Sequence, residues 1–274
     1  MKYLKLILFK LLKKILSKKQ YRFLSNSNKM IIKKIDLSYF FFFYVLFTLV
    51  RNIEKTERMR ILYLTRSYSM VGRSGLFATY DIAHKVEKNK INGCFIECGV
   101  ARGGCSAIMA MVASKYKNNR KVWLFDSFEG LPKPSSEDEF DSNKDTTEGD
   151  KHSSYVQEGY CLGTYEEVDK LMFSKLKLDR ENIFMVKGWF QETLPKYKDK
   201  IGKISFLRID ADWYKSTKYC LEKLYDNVVI GGYIYIDDYE SCIGSKKATD
   251  EFLEKKLKAK LNFDNRGGVY FEKI

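Results

Sequence analysis

The spacing of apolar and polar positions changes several times along this 274-residue chain. From Met1 to Gln20, Leu4, Ile7, Leu8, Leu11, Leu12, Ile15 and Leu16 share one side of a helical wheel, with Lys2, Lys10, Lys13 and Lys14 largely opposite. That period predicts a basic amphipathic helix. Lysines interrupt every apolar run and no small-residue cleavage site follows, so it is not a secretory signal. Leu37 to Val50 is free of charge and dense in aromatics, with Phe40 to Phe43 consecutive. Its 14 residues fall short of the roughly 20 a membrane-spanning helix needs. A packed helix, against the rest of the chain or a dimer partner, is the favoured reading over membrane insertion.

Beyond residue 60 the pattern alternates between short apolar runs and amphipathic stretches. Helices are predicted at about Gly75–Lys88, Ala107–Lys117, Glu166–Leu176, Thr217–Tyr225 and Lys246–Leu261. Between them lie strands beginning at Cys94 and at Val122–Asp126, Ile183–Val186, Phe206–Ile209 and Tyr233–Ile236, too short for helices and bounded by turn residues. Phe263, a turn at Asn265–Gly268 and Val269–Phe271 suggest a closing antiparallel hairpin. The alternation predicts an α/β fold: a Rossmann-like, doubly wound, mostly parallel seven-stranded sheet with a C-terminal antiparallel hairpin and an N-terminal helical extension. Residues 1–60 are expected to form that extension and residues 61–274 the sheet domain. Lys133 to Gly163 is polar throughout, and a loop that long in a compact domain reads as an active-site lid or a disordered segment.

Charge sharpens this division. The formal net charge is +14, and residues 1–60 hold fifteen Lys/Arg against three Asp/Glu, leaving 34 against 32 for the rest. The sheet domain is therefore nearly neutral and lacks the basic stripe of a nucleic-acid-binding surface. The basic segment, residues 1–50, could instead lie on anionic lipid as a peripheral contact or pack with its lysines solvated; both readings stand for the first helix. Six cysteines without a C-x-x-C pair, and only two histidines, argue against a zinc site or disulfide framework and for reduced, packed thiols in a cytoplasmic protein. His84 and His152 sit in no recognisable nucleophilic arrangement.

The chemistry gathers at strand ends. Phe206–Ile209 runs into Asp210 and Asp212, and Tyr233–Ile236 into Asp237 and Asp238. Joined by a helix, two such strands are parallel neighbours whose C-terminal tips line the ligand crevice of an open α/β sheet. One strand-ending Asp is more often a cap or turn former. Four on adjacent tips, with no lysine between them, are a costly like-charge cluster unless a cation neutralises it, which points to a metal. Upstream, Phe95-Ile96-Glu97-Cys98-Gly99 runs into Gly103-Gly104 and a helix. Such a turn lets a nucleotide-like cofactor approach the backbone, but it lacks the G-x-G-x-x-G spacing of a nicotinamide site. Asp126, 22 residues after Gly104, ends the next strand where an acid can accept from a ribose diol.

Together these segments resemble class I S-adenosylmethionine-dependent methyltransferases, and more closely the macrocin O-methyltransferase (TylF-like) family. The resemblance runs through Met70-Val71-Gly72, Glu97 to Gly104, Asp126 to Pro132, Gly188 to Pro195, Arg208 to Asp212 and Gly231 to Tyr239, from about Thr65 onward. The family often carries a bulky aromatic where Ala101 stands. The resemblance implies a Mg2+-dependent O-methyltransferase acting on a sugar hydroxyl of a small glycosylated molecule or a lipid-linked or surface saccharide, and a homo-oligomer. Asp210, Asp237 and Asp238 would hold Mg2+ and Asp212 would be the general base. Met70, Glu97, Gly99, Arg102, Gly103, Ser106, Asp126, Ser127, Gly188 and Trp189 would surround S-adenosylmethionine. A non-catalytic membrane-surface scaffold and a nucleic-acid methyltransferase are the alternatives; retention of all four aspartates opposes the first, and the near-neutral domain the second.

Overall fold

A computed structural model describes residues 18–138, 158–256, 260–265 and 267–274, with side chains from residue 30 onward. The first predicted helix, apart from its last three residues, lies outside this description, as do residues 139–157 of the expected lid. Backbone contacts divide the chain into Met1–Ser67 and Tyr68–Ile274. Each unit is built from its own residues as follows.

In the first unit, helix α1 (Lys18–Leu49) turns through Arg51, at φ +57°, into α2 (Ile53–Arg66). The Asn52 side chain caps α2 by accepting the Lys55 N–H. The aromatic stretch is thus the C-terminal part of one 32-residue helix rather than a separate element. A buried ion pair, Arg66 Nε to Asp36 Oδ2 at 2.8 Å, ties the two helices, and Phe40 is fully buried. Among the described residues no helix is long and apolar enough to cross a membrane.

The second unit opens with α3 (Arg73–Lys88), followed by β1 (Cys94–Cys98), α4 (Gly104–Tyr116) and β2 (Val122–Asp126). After the loop come α5 (Tyr165–Asp169), continued by a π-helical turn over Lys170–Lys175, and β3 (Ile183–Lys187). Then follow α6 (Phe190–Ile201), β4 (Ile204–Ile209), α7 (Tyr214–Leu224), β5 (Val228–Ile236), α8 (Ile243–Lys256), β6 (Asn262–Phe263) and β7 (Val269–Glu272). Helix α6 occupies a stretch for which the sequence pattern predicted no element. The seven strands are ordered β3-β2-β1-β4-β5-β7-β6, parallel except for β7 and β6. The sheet, its C-terminal hairpin and the doubly wound order therefore stand as expected.

Both faces of the central strands β1 and β4 are buried, which is why they read as nearly continuous apolar runs. Alternation still sorts their side chains. Ile96, Cys98, Leu207, Ile209, Ile234 and Ile236 join Leu194, Leu221, Leu224 and Phe252 in the core beneath α6, α7 and α8. Residues of opposite parity, among them Glu97, Arg208 and Tyr235, point the other way. No disulfide joins the six cysteines, and all but Cys161 are buried, so packing explains those five.

The strand tips are held in step by backbone bonds that outlast the strands themselves. Gly99 N–H donates to Phe125 O at 2.9 Å, Asp210 N–H to Cys98 O at 2.8 Å and Asp237 N–H to Ile209 O at 3.0 Å. Gly99 has φ +89°, and a Cβ there would lie 1.7 Å from Asp210 O. The left-handed conformation and the backbone contact both demand glycine. Gly99→Ala should therefore lose about 3 kcal/mol of stability, read as a lowered urea midpoint; an unchanged midpoint would show that the β1 and β4 tips can separate freely.

Candidate active site

Three neighbouring strands set the geometry. Glu97 on β1 is in register with Arg208 on β4, and Arg208 with Tyr235 on β5, forming one row across the sheet. Two residues further along, the same face presents Gly99, Asp210 and Asp237. Arg208, wholly buried, donates from Nη1 to Glu97 Oε1 and Asp210 Oδ2, both at 2.7 Å, and from Nη2 to Asp237 Oδ1 at 2.8 Å. Its Nε lies 3.3 Å from Thr79 Oγ1 on α3. The expectation that the acids meet without a cationic partner is thus corrected: the cation is inside the strand, in a run whose other members are apolar.

One guanidinium does not balance the site. Glu97, Asp210, Asp237, Asp238 and Asp212 carry five formal negative charges between them, and Asp210, Asp237 and Asp238 can bring one carboxylate oxygen each within 4.8 Å of the others. Burial raises the Asp238 pKa well above the carboxylate range, and the charges of Asp212, Asp210 and Asp237 add to it. Burial, then Asp237, likewise raises Asp210. Asp238 Oδ1 accepts from Ser241 Oγ at 3.1 Å, but its Oδ2 is buried without a hydrogen-bond partner. Hard carboxylate oxygens, excess negative charge and an orphaned acceptor together fit a divalent cation such as Mg2+.

Asp212 belongs to the same cluster. Asp212, Asp238 and Cys242 form a second group of converging ligand atoms, sharing Asp238 with the first. Asp212 has φ +53°, an uncommon conformation for a residue with a side chain, and Trp213 N–H folds back on Ala211 O at 2.5 Å. The Cys242 thiol, held protonated by burial and the adjacent acids, donates to Asp212 Oδ1 at 3.6 Å. Downstream, Trp213 Nε1 donates to Pro132 O at 2.9 Å, and Asp138 Oδ1 accepts the Tyr214 N–H at 2.7 Å, capping α7. The polar segment's stem is therefore docked beside Asp212. Leu131 and the 159–160 backbone pair across its base, with Leu131 N–H donating to Tyr160 O at 2.8 Å.

The predicted cofactor residues collect at the tips of β1, β2 and β3. Gly99 and Gly103, with φ +89° and +84°, shape the turn into α4, with Ala101 at +46° between them. Asp126 Oδ2 accepts the N–H groups of Val100 and Ala101 at 2.7 and 2.9 Å, and its Oδ1 that of Phe128 at 2.7 Å. Asp126 thus organises the glycine turn itself, in addition to the ribose role expected of it. Glu97 is engaged from both sides, by Arg208 and by the Ser106 hydroxyl, which places it beneath the turn. The Ser127 hydroxyl closes the next turn, accepting from Glu129 N–H and donating to Gly130 O, each at 3.1 Å. Gly188 N–H donates to Asp126 O at 2.9 Å, and Trp189 caps α6 half-buried. Arg102 is half-buried and Met70 exposed; the preceding Ser69 packs against Gly104 so closely that a Cβ there would lie 2.5 Å from the Ser69 Cβ. Arg208, Tyr235, Cys242 and Asp138 were not singled out from the sequence. For Arg208 the available signal was a lone arginine in a buried run, matched by Glu97 in another.

The model of the macrocin O-methyltransferase (TylF) family matches residues 1–273, taking in the N-terminal segment that the motifs alone left outside. Demethyldecarbamoylnovobiocin O-methyltransferase of Streptomyces niveus is 32% identical over 209 residues, 76% of either chain. Mycinamicin III 3''-O-methyltransferase of Micromonospora griseorubida is 26% identical over 214 residues, 77% of this chain and 80% of the relative. The solved O-methyltransferase NovP aligns with a TM-score of 0.64 at 30% identity, covering 75% of this chain and 82% of its own. A solved calicheamicin methyltransferase, at 20% identity and a TM-score of 0.58 over 80% of this chain and 92% of its own, shares the fold.

Burial, reinforced by Asp210 and opposed by Arg208 and Ser106, raises Glu97 from its ordinary value to about 7. The folded protein therefore keeps a proton that the unfolded chain releases above about 4.5. Its contribution to stability is complete below that pH and is lost as pH rises to about 7, by about 3 kcal/mol. Chemical denaturation of metal-free protein at pH 5 and 7.5 should show a smaller loss for Glu97→Gln than for the wild type. Equal losses would mean that Glu97 is already ionised at pH 5.

Proposed function

Because the chain belongs to the macrocin O-methyltransferase family, we propose that it methylates a sugar hydroxyl on a glycosylated small molecule or a lipid-linked or surface saccharide, with Mg2+ bound at its acidic cluster. At the coarser level it is an S-adenosylmethionine-dependent O-methyltransferase. The observation that carries the finer reading is the convergence of Asp210, Asp212, Asp237 and Asp238 at strand tips adjoining the glycine turn. The names of the relatives support it, since one acts on the 3'' hydroxyl of mycinamicin III and another on demethyldecarbamoylnovobiocin.

The residues divide the work. Gly99, Gly103 and the N–H groups aligned by Asp126 give S-adenosylmethionine a close backbone approach, with Met70, Arg102, Ser106, Ser127, Gly188 and Trp189 around it. Asp210, Asp237 and Asp238 would hold Mg2+, which when bound lowers the pKa of the acceptor hydroxyl. Asp212 takes the hydroxyl proton at its carboxylate, and the Cys242 thiol and Trp213 turn fix the direction of that carboxylate. Arg208 anchors Asp210 and Asp237 from below, so the acids are positioned before substrate arrives.

Transfer of a labelled methyl group from S-adenosylmethionine to a panel of glycosides tests the reading. Chelator, or Asp238→Asn, should abolish transfer while S-adenosylhomocysteine still binds; full turnover in excess chelator would remove the metal from the mechanism. Asp212→Asn should lower turnover by ~10²–10⁴ with donor affinity retained. If donor affinity falls in parallel, Asp212 is a binding residue and the base lies elsewhere.

A further inference from the structure

We propose that Asp212, Asp238 and Cys242 form a site for a thiophilic divalent cation, Zn2+, and that filling it blocks methyl transfer. One ligand atom from each of the three side chains lies within 4.8 Å of the others, and all three residues are buried. The group differs in kind from the set made by Asp210, Asp237 and Asp238. Mg2+ takes hard oxygen ligands and gains nothing from a thiol, whereas sulfur combined with carboxylate oxygen is a donor set for Zn2+.

The spacing fits that ion. Zn–S bonds of about 2.3 Å and Zn–O bonds of about 2.0 Å at a tetrahedral angle hold sulfur and oxygen roughly 3.5 Å apart. Cys242 Sγ and Asp212 Oδ1 are 3.6 Å apart. The cation thus takes the place of a proton already shared between the two. Asp238 supplies the third ligand and an independent sign of one: it is only 7% exposed, and its Oδ2 is buried without a hydrogen-bond partner. Burial and then the nearby Asp212 charge raise its pKa, a repulsion that a cation between the two carboxylates removes. Arg208 directs its Nη groups to Glu97, Asp210 and Asp237 instead. Two carboxylates and one sulfur leave the fourth position of a tetrahedral ion to water.

Local structure prepares the sulfur. Cys242 immediately precedes α8; its carbonyl accepts the Lys246 N–H at 3.0 Å, and its own N–H donates to Asp238 O at 3.0 Å. The turn between two of the ligands is therefore closed by its own backbone. The sulfur also sits at a helix N-terminus, where a thiolate is favoured. On binding, Zn2+ releases the thiol proton to solvent, and its charge offsets the acids that hold that proton in the metal-free protein. Binding stands on these three side chains alone. The block on transfer rests on the reading of Asp212 as the base, because a carboxylate that ligates Zn2+ no longer takes the acceptor proton. Filling this site also withdraws Asp238 from the first group.

Co2+, which substitutes for Zn2+ and reports a thiolate ligand through an ultraviolet charge-transfer band, reads binding without turnover. Added to reduced, metal-free, full-length protein, it should give that band and saturate it at one equivalent. Cys242→Ser keeps a hydroxyl donor for Asp212 and should lose the band, and Asp212→Asn should bind Co2+ more weakly. In methyl transfer with excess Mg2+, Zn2+ should inhibit the wild type at a concentration at least ~10–100-fold below that needed for Cys242→Ser, each protein measured against its own uninhibited rate, since even a partner outside the ligand set is worth that much. A wild type without the band, which requires no variant to fold, or a band retained by Cys242→Ser, overturns the site. A band accompanied by turnover that Zn2+ leaves unchanged overturns the block and, with it, Asp212 as the base. Because the band is read without Mg2+, full turnover in chelator would remove Mg2+ from the mechanism and leave this site to stand or fall on Co2+.

Discussion

A guanidinium buried in the middle of a sheet determines the rest of this site. Arg208 has no exposed surface, and its donors are divided between Glu97, Asp210 and Asp237 on three adjacent strands. Taking such a charge out of water costs several kcal/mol, recovered only when partners surround it with good geometry. Neither side can then be lost alone. The same bonds that neutralise Arg208 fix the rotamers of two aspartates at the crevice, so electrostatic necessity becomes positional precision. Tyr235, the next residue in the row, extends the arrangement to the C-terminal hairpin, its hydroxyl lying 3.1 Å from Asp237 Oδ1 and 2.8 Å from Asp264 Oδ2.

The cluster is deliberately unbalanced. Arg208 faces the inner ends of the acids, while Asp238 and Asp212 lie beyond its reach and repel one another. That excess of carboxylate oxygens over internal cations is the feature on which the proposed metal reading rests. The neighbouring glycine turn has a different character, with backbone N–H groups directed at Asp126 and the tip of β1 lying against Asp210 O, where only Gly99 fits. An acidic cluster at the tips of β4 and β5 thus adjoins a backbone turn organised by a single carboxylate.

Much of this was legible in the sequence because the strands are short, apolar and end in acids at neighbouring tips. The turn glycines and Asp126 were readable for the same local reason. What escaped depends on contacts distant along the chain. Arg208 sits in a run that reads as buried strand, and only the β1–β4 register shows it opposite Glu97. Asp138 caps α7 from 76 residues away, a relation no local pattern encodes. Helix α6 was missed where Pro195 and a run of lysines obscure its apolar side, carried by Leu194 and Ile201. Helix α8 begins at Ile243, ahead of the expected Lys246, and its first turn carries Gly244 against Asp138, whose Oδ1 would lie 1.8 Å from a Cβ there.

The pairing of Glu97 with Arg208 spans 111 residues, and this bears on how the chain is made. Strands β1 and β2 leave the ribosome well before β4. At synthesis rates of roughly 5–20 residues per second, Glu97 on β1 waits on the order of ten seconds for its counter-ion. During that interval Glu97 can enter the nascent core only as a neutral acid, so the β1 edge at which β4 will dock remains open. The centre of the sheet is therefore completed late, after translation of its arginine, and the growing polypeptide spends that time with an unpaired strand edge of the kind that chaperones shield.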